Sequence, residues 1–359
     1  MRILVTGGAG FIGANVVVGL AERHPDWELI AFDNLHRRGA ELNLPRLSAA
    51  NVTFLRGDVR EPADLAAVGE IAALVECSAE PSVLAGTDGR LDYLVHTNLV
   101  GAYNCLELVR RYGAQLVFLS SSRVYPVGAL RSLALVETDS RFELAPEQHV
   151  AGVSPAGISE DFTLTGARTL YGATKLAAEL LIAEYADSFG VRAVVNRCGV
   201  VAGPWQMGRV DQGVFTYWLL AHYFGRPLEY IGFDGSGKQV RDLVDVADIV
   251  DLVADQLSRP ELWAGFTGNV GGGRACSLSL AETTELCQEL TGRRVDIGTG
   301  RNERPGDVPL YLSDSSSVLA HGGWRPKRDA RTIMSGVLDW VRGNEAEVKA
   351  TLGFEPGSR

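Results

Sequence analysis

Tyr171 and Lys175 are the two side chains whose types and spacing best suit proton transfer. The stretch Tyr171-Gly172-Ala173-Thr174-Lys175 sets a phenol and an ammonium four residues apart, which places both on one face of a helix. An ammonium in that position can lower the pKa of a phenol and prepare it for general acid–base catalysis. Because this spacing often arises by chance, a core tyrosine beside a solvated lysine is the alternative interpretation.

Three glycines follow the first apolar segment of the chain. Residues 1–13 read MRILVTGGAGFIG, a short strand that runs into Gly7, Gly10 and Gly13. In such a turn the first glycine bends the chain, the second admits a phosphate, and the third lets the helix pack closely on the sheet. The context predicts that the helix N-terminus binds the pyrophosphate of a dinucleotide. A turn used only for packing is the alternative.

Two carboxylates end the second and third predicted strands. Asp33 lies 20 residues beyond Gly13, where it can accept hydrogen bonds from ribose hydroxyls and repel a 2′-phosphate. This position favours NAD over NADP, although a role in capping a turn is the alternative. Asp58-Val59 ends the third strand at a place where an adenine edge can rest.

A run of three serines, Ser120 to Ser122, follows the fifth predicted strand. A hydroxyl there can hydrogen-bond a reacting oxygen while Tyr171 moves the proton, and Lys175 can also hold the nicotinamide ribose. The serine run and the N-terminal glycines together favour the catalytic interpretation of the Tyr–Lys pair. The combination indicates hydride transfer to and from an alcohol.

Strands alternate with helices through the first half of the chain, which predicts an α/β fold with a doubly wound parallel sheet. Helical periodicity is clearest around the Tyr–Lys pair and between the fourth and fifth strands. The predicted strands cover residues 2–6, 29–32, 52–55, 72–77, 115–119 and 192–196, and the predicted helices cover 11–22, 91–109 and 171–189.

Two domains are predicted. Residues 1–202 form the dinucleotide-binding domain, and residues 241–257 return to its main sheet. Segments 203–240 and 258–345 form a smaller C-terminal α/β substrate lobe. Residues 126–169 carry little periodicity, and we interpret them as loops with short elements over the carboxyl edge of the sheet.

Composition excludes several classes of function. The 359-residue chain has a formal net charge of −10, which argues against a nucleic-acid partner held by general electrostatics. Its odd number of cysteines, five, includes no C-x-x-C pair and favours a reducing, cytoplasmic compartment. No apolar run approaches the roughly 20 residues of a membrane span, and we expect no signal peptide. The histidines lack the spacing of metal ligands, so no metal is expected.

Over nearly its whole length the sequence resembles the extended short-chain dehydrogenase/reductase family of NAD-dependent epimerases and dehydratases. The resemblance implies a Rossmann sheet, bound NAD and a nucleotide-diphosphate sugar as substrate. The matching motifs are TGGAGFIG at 6–13, FDNL at 32–35, GDV at 57–59, SSSRVY at 120–125, YGATK at 171–175 and GKQVRDLVDVAD at 237–248.

The resemblance assigns roles to individual residues. Alignment on the Val124-Tyr125 pair makes Ser121 the catalytic serine beside Tyr171 and Lys175. The helix asparagine that links the lysine to solvent in the family corresponds to Asn98. The cofactor-binding residues are expected to be Gly7, Gly10, Phe11, Ile12, Gly13, Asp33, Asn34, Asp58, Val59, Asn98, Tyr171 and Lys175.

Within this family the chain is most similar to the CDP-paratose/CDP-tyvelose 2-epimerases, through FDNLHRRGAELNLPRL at 32–47, VDQGV at 210–214 and GKQVRD at 237–242. The resemblance implies oxidation of a sugar hydroxyl and hydride return to the opposite face, with inversion at C2 of a CDP-hexose. The dehydratases of the family carry Asp-Glu where this chain has Ser122-Arg123. Another redox outcome, such as 4-epimerisation or net dehydrogenation, and a catalytically silent NAD-binding scaffold are the alternatives.

One departure from the family concerns the end of the fourth strand. Relatives usually show His-Leu-Ala-Ala, whereas this chain has Glu76-Cys77-Ser78-Ala79-Glu80. Two carboxyls beside the nicotinamide would alter local charge and pKa values. Alternatively, Glu76 and Glu80 point to solvent or pair with arginines.

Cations are expected around a diphosphate despite the acidic total. Arg241 and Arg304 resemble the diphosphate-binding arginines of the family, and Arg suits bidentate phosphate contact; surface salt bridges are the alternative. The remaining substrate-binding candidates are Arg123, Gln206, Asp211 and Gln212. The resemblance also implies a homodimer or homotetramer that pairs helices at about residues 91–111 and 171–188 into a four-helix bundle.

Overall fold

The structure is a computed structural model that describes residues 1–353 except 88, 90, 209–211, 301–303 and 305. The described strands are β1 (Arg2–Thr6), β2 (Glu28–Asp33), β3 (Thr53–Arg56), β4 (Ala73–Glu76), β5 (Gln115–Ser121), β6 (Leu135–Glu137), β7 (Phe142–Leu144), β8 (Val153–Ser154), β9 (Gly157–Ile158), β10 (Arg192–Cys198), β11 (Val200–Ala202), β12 (Leu228–Ile231), β13 (Val240–Asp245), β14 (Thr267–Val270), β15 (Ser277–Ser279), β16 (Ile297–Gly300) and β17 (Leu310–Tyr311).

The described α-helices range from four to twenty residues in length. They are α1 (Phe11–Arg23), α2 (Leu44–Ala49), α3 (Pro62–Ala66), α4 (Asp92–Val95), α5 (Gly101–Tyr112), α6 (Val127–Arg131), α7 (Leu170–Phe189), α8 (Val214–Phe224), α9 (Val246–Ser258), α10 (Pro260–Trp263), α11 (Leu280–Thr291), α12 (Ser316–Gly322), α13 (Ala330–Gly343) and α14 (Glu345–Leu352). A π-helical turn, His96–Val100, joins α4 to α5.

The first compact unit contains residues 1–124, 170–197 and 246–268. Its seven-stranded sheet has the order β14-β10-β5-β4-β1-β2-β3, and the ladders from β3 through β5 are parallel. The apolar run of β4 is buried along its whole length, as expected for a parallel strand covered on both faces. This sheet confirms the predicted doubly wound α/β fold, and the ends of the predicted strands and helices agree with it to within about three residues.

The second compact unit contains residues 125–169 and 198–245 and the described residues from 269 onward. A four-stranded sheet joins β11, β13, β15 and β17, and its core is built mainly from α8, α11 and α13. The predicted boundaries differ from this division. Strand β13 pairs with β11, β15 and β17, so that only α9 of segment 241–257 lies in the first unit, and residues 125–169 cluster with the second.

Two further observations concern the described part of the chain. No helix within it is long and apolar enough to cross a membrane. The five cysteines, all of which are described, are not joined in disulfides.

Candidate active site

The glycine turn after β1 has no room for side chains. A Cβ on Gly7, whose φ is +62°, would lie 2.8 Å from the Cys77 carbonyl oxygen, and one on Gly13 would lie 2.1 Å from the Gly7 oxygen. The Gly10 N–H closes the turn by donating to the Gly7 carbonyl at 2.9 Å. These contacts hold the start of α1 against the sheet, and the glycine positions of the turn before α1 present backbone without side chains.

The N-terminus of α1 lacks a capping side chain. Gly10 occupies the cap position in extended backbone and has no side chain with which to cap the first turn, which begins with Phe11 and Ile12. The N–H groups of a first helical turn have no partner within the helix and carry partial positive charge. This end of α1 therefore suits an anionic group.

Asp33 ties the glycine turn to the end of β2. Its Oδ2 accepts from the Ala9 N–H at 3.1 Å, and its Oδ1 accepts from the Leu35 N–H at 2.8 Å. Burial raises the pKa of this carboxyl, while the backbone N–H donors oppose the shift. Asp33 lies at the end of β2, and both of its carboxyl oxygens accept backbone hydrogen bonds; its contact with a ribose stays a prediction.

Asn34 and Asp58 connect the ends of β2 and β3. The Asn34 Nδ2 donates to Asp58 Oδ2 at 2.9 Å, and Arg60 Nη2 donates to the same oxygen at 2.7 Å. The hydrogen bond from Arg60 is the main reason that the pKa of Asp58 falls to about 2. The carbonyl of Val59 accepts from Asn104 Nδ2 at 2.9 Å, which anchors this corner on α5.

Tyr171 and Lys175 lie in the first two turns of α7, and both are buried, at 8% and 2% exposure. Gly172 brings this helix against the 3₁₀ turn Ser122–Val124, because a Cβ on Gly172 would lie only 2.0 Å from the Arg123 carbonyl oxygen. The close approach fixes the start of α7 beside the end of the serine run.

The three serines at the end of β5 differ in their bonds. Ser120 is buried and its Oγ donates to Glu179 Oε1 at 2.5 Å, so its hydroxyl is committed to the protein interior. The Oγ of Ser121 accepts from the Arg123 N–H at 3.1 Å and retains its proton for another acceptor. The geometry therefore favours Ser121 over Ser120 as the hydroxyl available to a reacting oxygen.

Three groups surround the Lys175 ammonium. Its Nζ donates to the Leu119 carbonyl at 2.9 Å and lies 4.4 Å from the centre of the Phe118 ring. The third is Glu76, whose Oε2 lies 3.8 Å from Nζ. The carbonyl and the ring come from β5, and the carboxyl comes from β4.

Glu76 and Glu80 have different surroundings. Glu76 fits the interpretation of a carboxyl that alters the local charge, and Glu80 fits the interpretation of a carboxyl paired with an arginine. Glu76 is buried at the end of β4 and accepts from Ser78 Oγ at 2.8 Å; burial raises its pKa, which Lys175 opposes. Glu80 is partly exposed, and its Oε1 lies 3.9 Å from Arg37 Nη1. Glu80 thus pairs with an arginine, whereas Glu76 faces Lys175 on α7.

Asn98 lies in the π-helical turn between α4 and α5, a feature often found at functional sites. Its Oδ1 accepts from the Glu80 N–H at 2.7 Å, and its Nδ2 donates to the Glu80 carbonyl and to Thr174 Oγ1, each at 3.1 Å. These bonds reach the neighbour of Lys175 rather than Lys175 itself. The link between the lysine and solvent stays a prediction.

Reasoning from sequence missed Gly172, Thr174 and the ion pair of Glu179 with Arg197. Both oxygens of Glu179 accept from the Arg197 guanidinium, at 2.8 Å for the shortest contact, and both residues are 7% exposed. A charged residue four positions after Lys175 in an otherwise apolar helical stretch is the sequence signal for such a buried pair.

The substrate-binding candidates of the second unit are placed unequally. Gln206 is buried, and its amide donates to the Val201 carbonyl at 3.0 Å and accepts from Thr216 Oγ1 at 2.5 Å. Its contact with a sugar stays a prediction. Gln212 is half-buried just before α8. Asp211 lies outside the described residues.

Arg241 and Arg304 are both half-buried. The Arg241 Nη2 donates to Asp307 Oδ1 at 2.5 Å and to the Val308 carbonyl at 2.7 Å. Arg304 lies close enough to Tyr217 to act on the phenol electrostatically, although burial dominates and raises the pKa of that tyrosine. Arg241 therefore already has a carboxylate partner that a diphosphate would have to share or replace.

Comparison with known proteins places the chain in a family. Residues 3–271 match the NAD dependent epimerase/dehydratase family. The chain belongs to this family. It is 29% identical to the CDP-paratose 2-epimerase of Salmonella typhi over 354 residues, covering 95% of this chain and 99% of the relative. It is 30% identical to a dTDP-glucose 4,6-dehydratase of Mycobacterium tuberculosis over 349 residues, or 96% and 95% of the two chains.

Solved structures agree with the fold. The UDP-glucose 4-epimerase of Thermus thermophilus, in complex with NAD, superposes with a TM-score of 0.74 at 27% identity over 96% of this chain and 99% of that one. The UDP-glucuronic acid 4-epimerase of Bacillus cereus gives 0.79 at 21% identity, with the same coverage. The chain is an enzyme of the NAD-dependent nucleotide-sugar epimerase and dehydratase class, and NAD is its cofactor.

The residues of this family member fit the cofactor. The bare glycine turn and the uncapped N-terminus of α1 provide the space and the donors that a pyrophosphate needs. Asp33, at the end of β2, supplies the carboxylate that suits a ribose with a free 2′-hydroxyl. The carbonyl of Leu119 and the Glu76 carboxyl leave Lys175 with donor capacity for a ribose hydroxyl, since an ammonium has three N–H bonds.

Proposed function

We propose that this enzyme is a nucleotide-sugar epimerase that inverts C2 of a CDP-hexose of the CDP-paratose/CDP-tyvelose type. The observation that carries the proposal is the buried Tyr171 on α7, one turn before Lys175 and packed through Gly172 against the turn after Ser121. The full-length similarity to a CDP-paratose 2-epimerase supports this choice. Ser122-Arg123, where dehydratases of the family have Asp-Glu, argues against dehydration because the acid and base for that step are absent at these positions.

In the proposed reaction, Tyr171 works as a phenolate that removes the proton of a sugar hydroxyl. The Ser121 hydroxyl donates a hydrogen bond to the same sugar oxygen and holds that oxygen in line with the phenolate. Bound NAD would supply the acceptor, and then the donor, of the hydride that leaves the sugar carbon and returns to it. The keto sugar turns between the two events, and Tyr171 finally gives the proton back to the oxygen.

Lys175 has an electrostatic role in this scheme. Its ammonium lies one turn after Tyr171 and is held by the Leu119 carbonyl, so it stabilises the phenolate that forms each time the proton moves. We further propose that Arg241, Arg304 and Arg123 recognise the nucleotide-sugar, with the first two on the diphosphate. A phosphate group would compete with Asp307 for Arg241, since that carboxylate bonds the same guanidinium.

Self-association is part of the proposal. Helices α5 and α7 expose large apolar side chains, among them Tyr103 at 45%, Leu180 at 63% and Phe189 at 58%. Exposed apolar side chains support an interaction site on these helices, and pairing of the same helices on two copies gives the commonest oligomer symmetry. We propose a homodimer or homotetramer that uses these helices.

The experiment that tests the function incubates the purified enzyme with a CDP-hexose in deuterated water. Direct hydride return leaves the inverted carbon without solvent deuterium, and deuterium at that carbon would refute the mechanism. Tyr171→Phe removes one oxygen and should lower turnover by about 10²–10⁴-fold, the usual value of a positioned proton-transfer group, while NAD content stays unchanged.

The same assay separates the alternatives. Stoichiometric NADH formation would identify a dehydrogenase, and inversion of UDP-glucose at C4 would identify a 4-epimerase. No conversion of any nucleotide sugar would favour the silent scaffold.

A further inference from the structure

Glu76 is a buried acid that faces the proposed catalytic lysine. It is 1% exposed, and its Oε2 lies 3.8 Å from Lys175 Nζ. Its Oε1 accepts from Ser78 Oγ at 2.8 Å, whereas Oε2 accepts no hydrogen bond from the residues that the structure describes. One carboxyl oxygen is therefore held by the protein, and the other is directed at the ammonium.

The burial of both charges makes them dependent on each other. Lys175 is 2% exposed, and an isolated charge removed from water to that degree is strongly unfavourable. The Leu119 carbonyl and the Phe118 ring contribute only partial negative charge to the surroundings of Nζ. Glu76 is the carboxyl that lies beside Nζ, at 3.8 Å, and in its ionised form it supplies a full compensating charge.

We propose that Glu76 is a positioning residue that acts as the counter-ion of Lys175 and keeps the ammonium charged beside Tyr171. The consequence for catalysis rests on the proposed function. The pairing of Glu76 with Lys175 is independent of that function, because it follows from the geometry of β4 and α7. In this arrangement Glu76 controls the charge that Lys175 presents to the phenol without touching the substrate.

The other titratable groups near the pair come from two helices. Cys105 projects from α5, and the pKa of its thiol is raised well above its ordinary value by burial and then by the charge of Glu76. On α7, Tyr171 lies one turn before Lys175, and Glu179 lies one turn after it, with its own partner in Arg197. Glu179 is thus already neutralised, which leaves Glu76 as the carboxylate paired with Lys175.

The lysine content of the chain allows a direct test. It has four lysines, at positions 175, 238, 327 and 349, so the purified holoprotein labelled with ¹³C,¹⁵N-lysine gives four side-chain signals whose titrations can be followed separately by NMR. In Glu76→Gln we expect the midpoint of the Lys175 titration to fall by at least about one pH unit, because the charged form loses its counter-ion while burial persists.

Glu80→Gln is the matched control. It removes a carboxyl from the same segment, but one that faces Arg37 and is partly exposed, so the Lys175 midpoint should stay unchanged. A Lys175 midpoint that does not move in folded Glu76→Gln would overturn the proposal. If Glu76→Gln does not fold, Glu76→Asp is measured instead. Its carboxylate is set back by one methylene, and we expect a smaller decrease; an unchanged midpoint would count against the pairing.

A pH profile links the pair to catalysis. With a nucleotide sugar as substrate, the basic limb of turnover in Glu76→Gln should move to lower pH together with the Lys175 signal. A basic limb that stays in place while the Lys175 midpoint moves would overturn the positioning role. Absence of turnover in the wild-type enzyme would contradict the proposed function and not the pairing, because the NMR titration needs no substrate.

Discussion

Gly172→Ala tests whether the close approach of α7 to the turn after β5 positions Tyr171, the proposed catalytic tyrosine. The added Cβ would lie 2.0 Å from the Arg123 carbonyl oxygen, whereas carbon and oxygen atoms in contact are normally more than about 3 Å apart. Both partners of the clash are backbone or fixed to it, so neither can rotate away. The start of α7 and the turn Ser122–Val124 must therefore separate by about 1 Å.

The displacement acts directly on the reacting groups. Tyr171 precedes the substituted residue, and Ser121 precedes the turn, so both side chains would move with their backbones. A misplacement of about 1 Å can reduce turnover by about 10²-fold, and we expect a loss of this size in kcat. Overpacking should lower stability by about 1–3 kcal/mol, partly offset by the roughly 1 kcal/mol that Ala gains over Gly inside a helix.

Gly336→Ala provides the control. Gly336 also lies within a helix, α13, and a Cβ there would meet nothing within 4 Å, so stability should rise slightly and kcat should stay unchanged. The assay compares kcat for nucleotide-sugar inversion, NAD content and thermal unfolding for the two variants. Retention of wild-type kcat and stability by Gly172→Ala would show that the contact has no positioning role.

Three other predictions concern stability and assembly. Glu179→Gln breaks the buried bidentate pair with Arg197. Denaturant unfolding should show that the free energy of unfolding falls by about 3–5 kcal/mol, because a buried guanidinium loses its counter-ion. A decrease below about 1 kcal/mol would contradict this expectation. Burial lowers the pKa of His222, so the unfolded chain binds the proton more readily than the folded protein does. Stability should therefore fall as the pH drops below the ordinary histidine pKa of about 6.5. His222→Gln should reduce this pH dependence in melting curves between about pH 5 and 7.5, and an identical slope in both proteins would show that His222 does not cause it. Light scattering at micromolar concentration should show at least a dimer, and Leu180→Glu on the exposed face of α7 should shift it toward monomer, whereas a monomeric wild type would refute the interface.

Local patterns were sufficient to predict most of the first unit. Each strand of the sheet before β14 is a short apolar run bounded by polar or glycine residues, and the helices between them carry regular apolar spacing. The glycine turn was also predictable, because Gly10 and Gly13 approach Gly7, which lies within six residues of both, although Gly7 itself approaches Cys77 on a distant segment. Such features depend on contacts within a few residues, which is the range that a single sequence displays.

The features that sequence reasoning missed depend on contacts between distant segments. The importance of Gly172 comes from Arg123, which lies about fifty residues earlier in the chain. The role of Glu76, which the sequence left open, depends on Lys175, which lies on another element almost a hundred residues later. The placement of β13 in the smaller sheet was missed for the same reason, since its partners β11, β15 and β17 lie on both sides of it in the chain. Apolar periodicity identifies a buried strand but does not identify its sheet.

Two charge pairs fix the rotation of α7 about its axis. Lys175 faces Glu76 on β4, and Glu179, four residues later, faces Arg197 on β10. Because a helix turns by about 100° per residue, a slip of one residue would break both pairs and leave four buried charges without partners. Each unpaired charge would cost several kcal/mol, so the observed rotation of α7 is strongly preferred over rotations that differ by one residue. The orientation of Tyr171 follows from this register, which means that the ion pairs of α7 position the phenol even where they do not touch it.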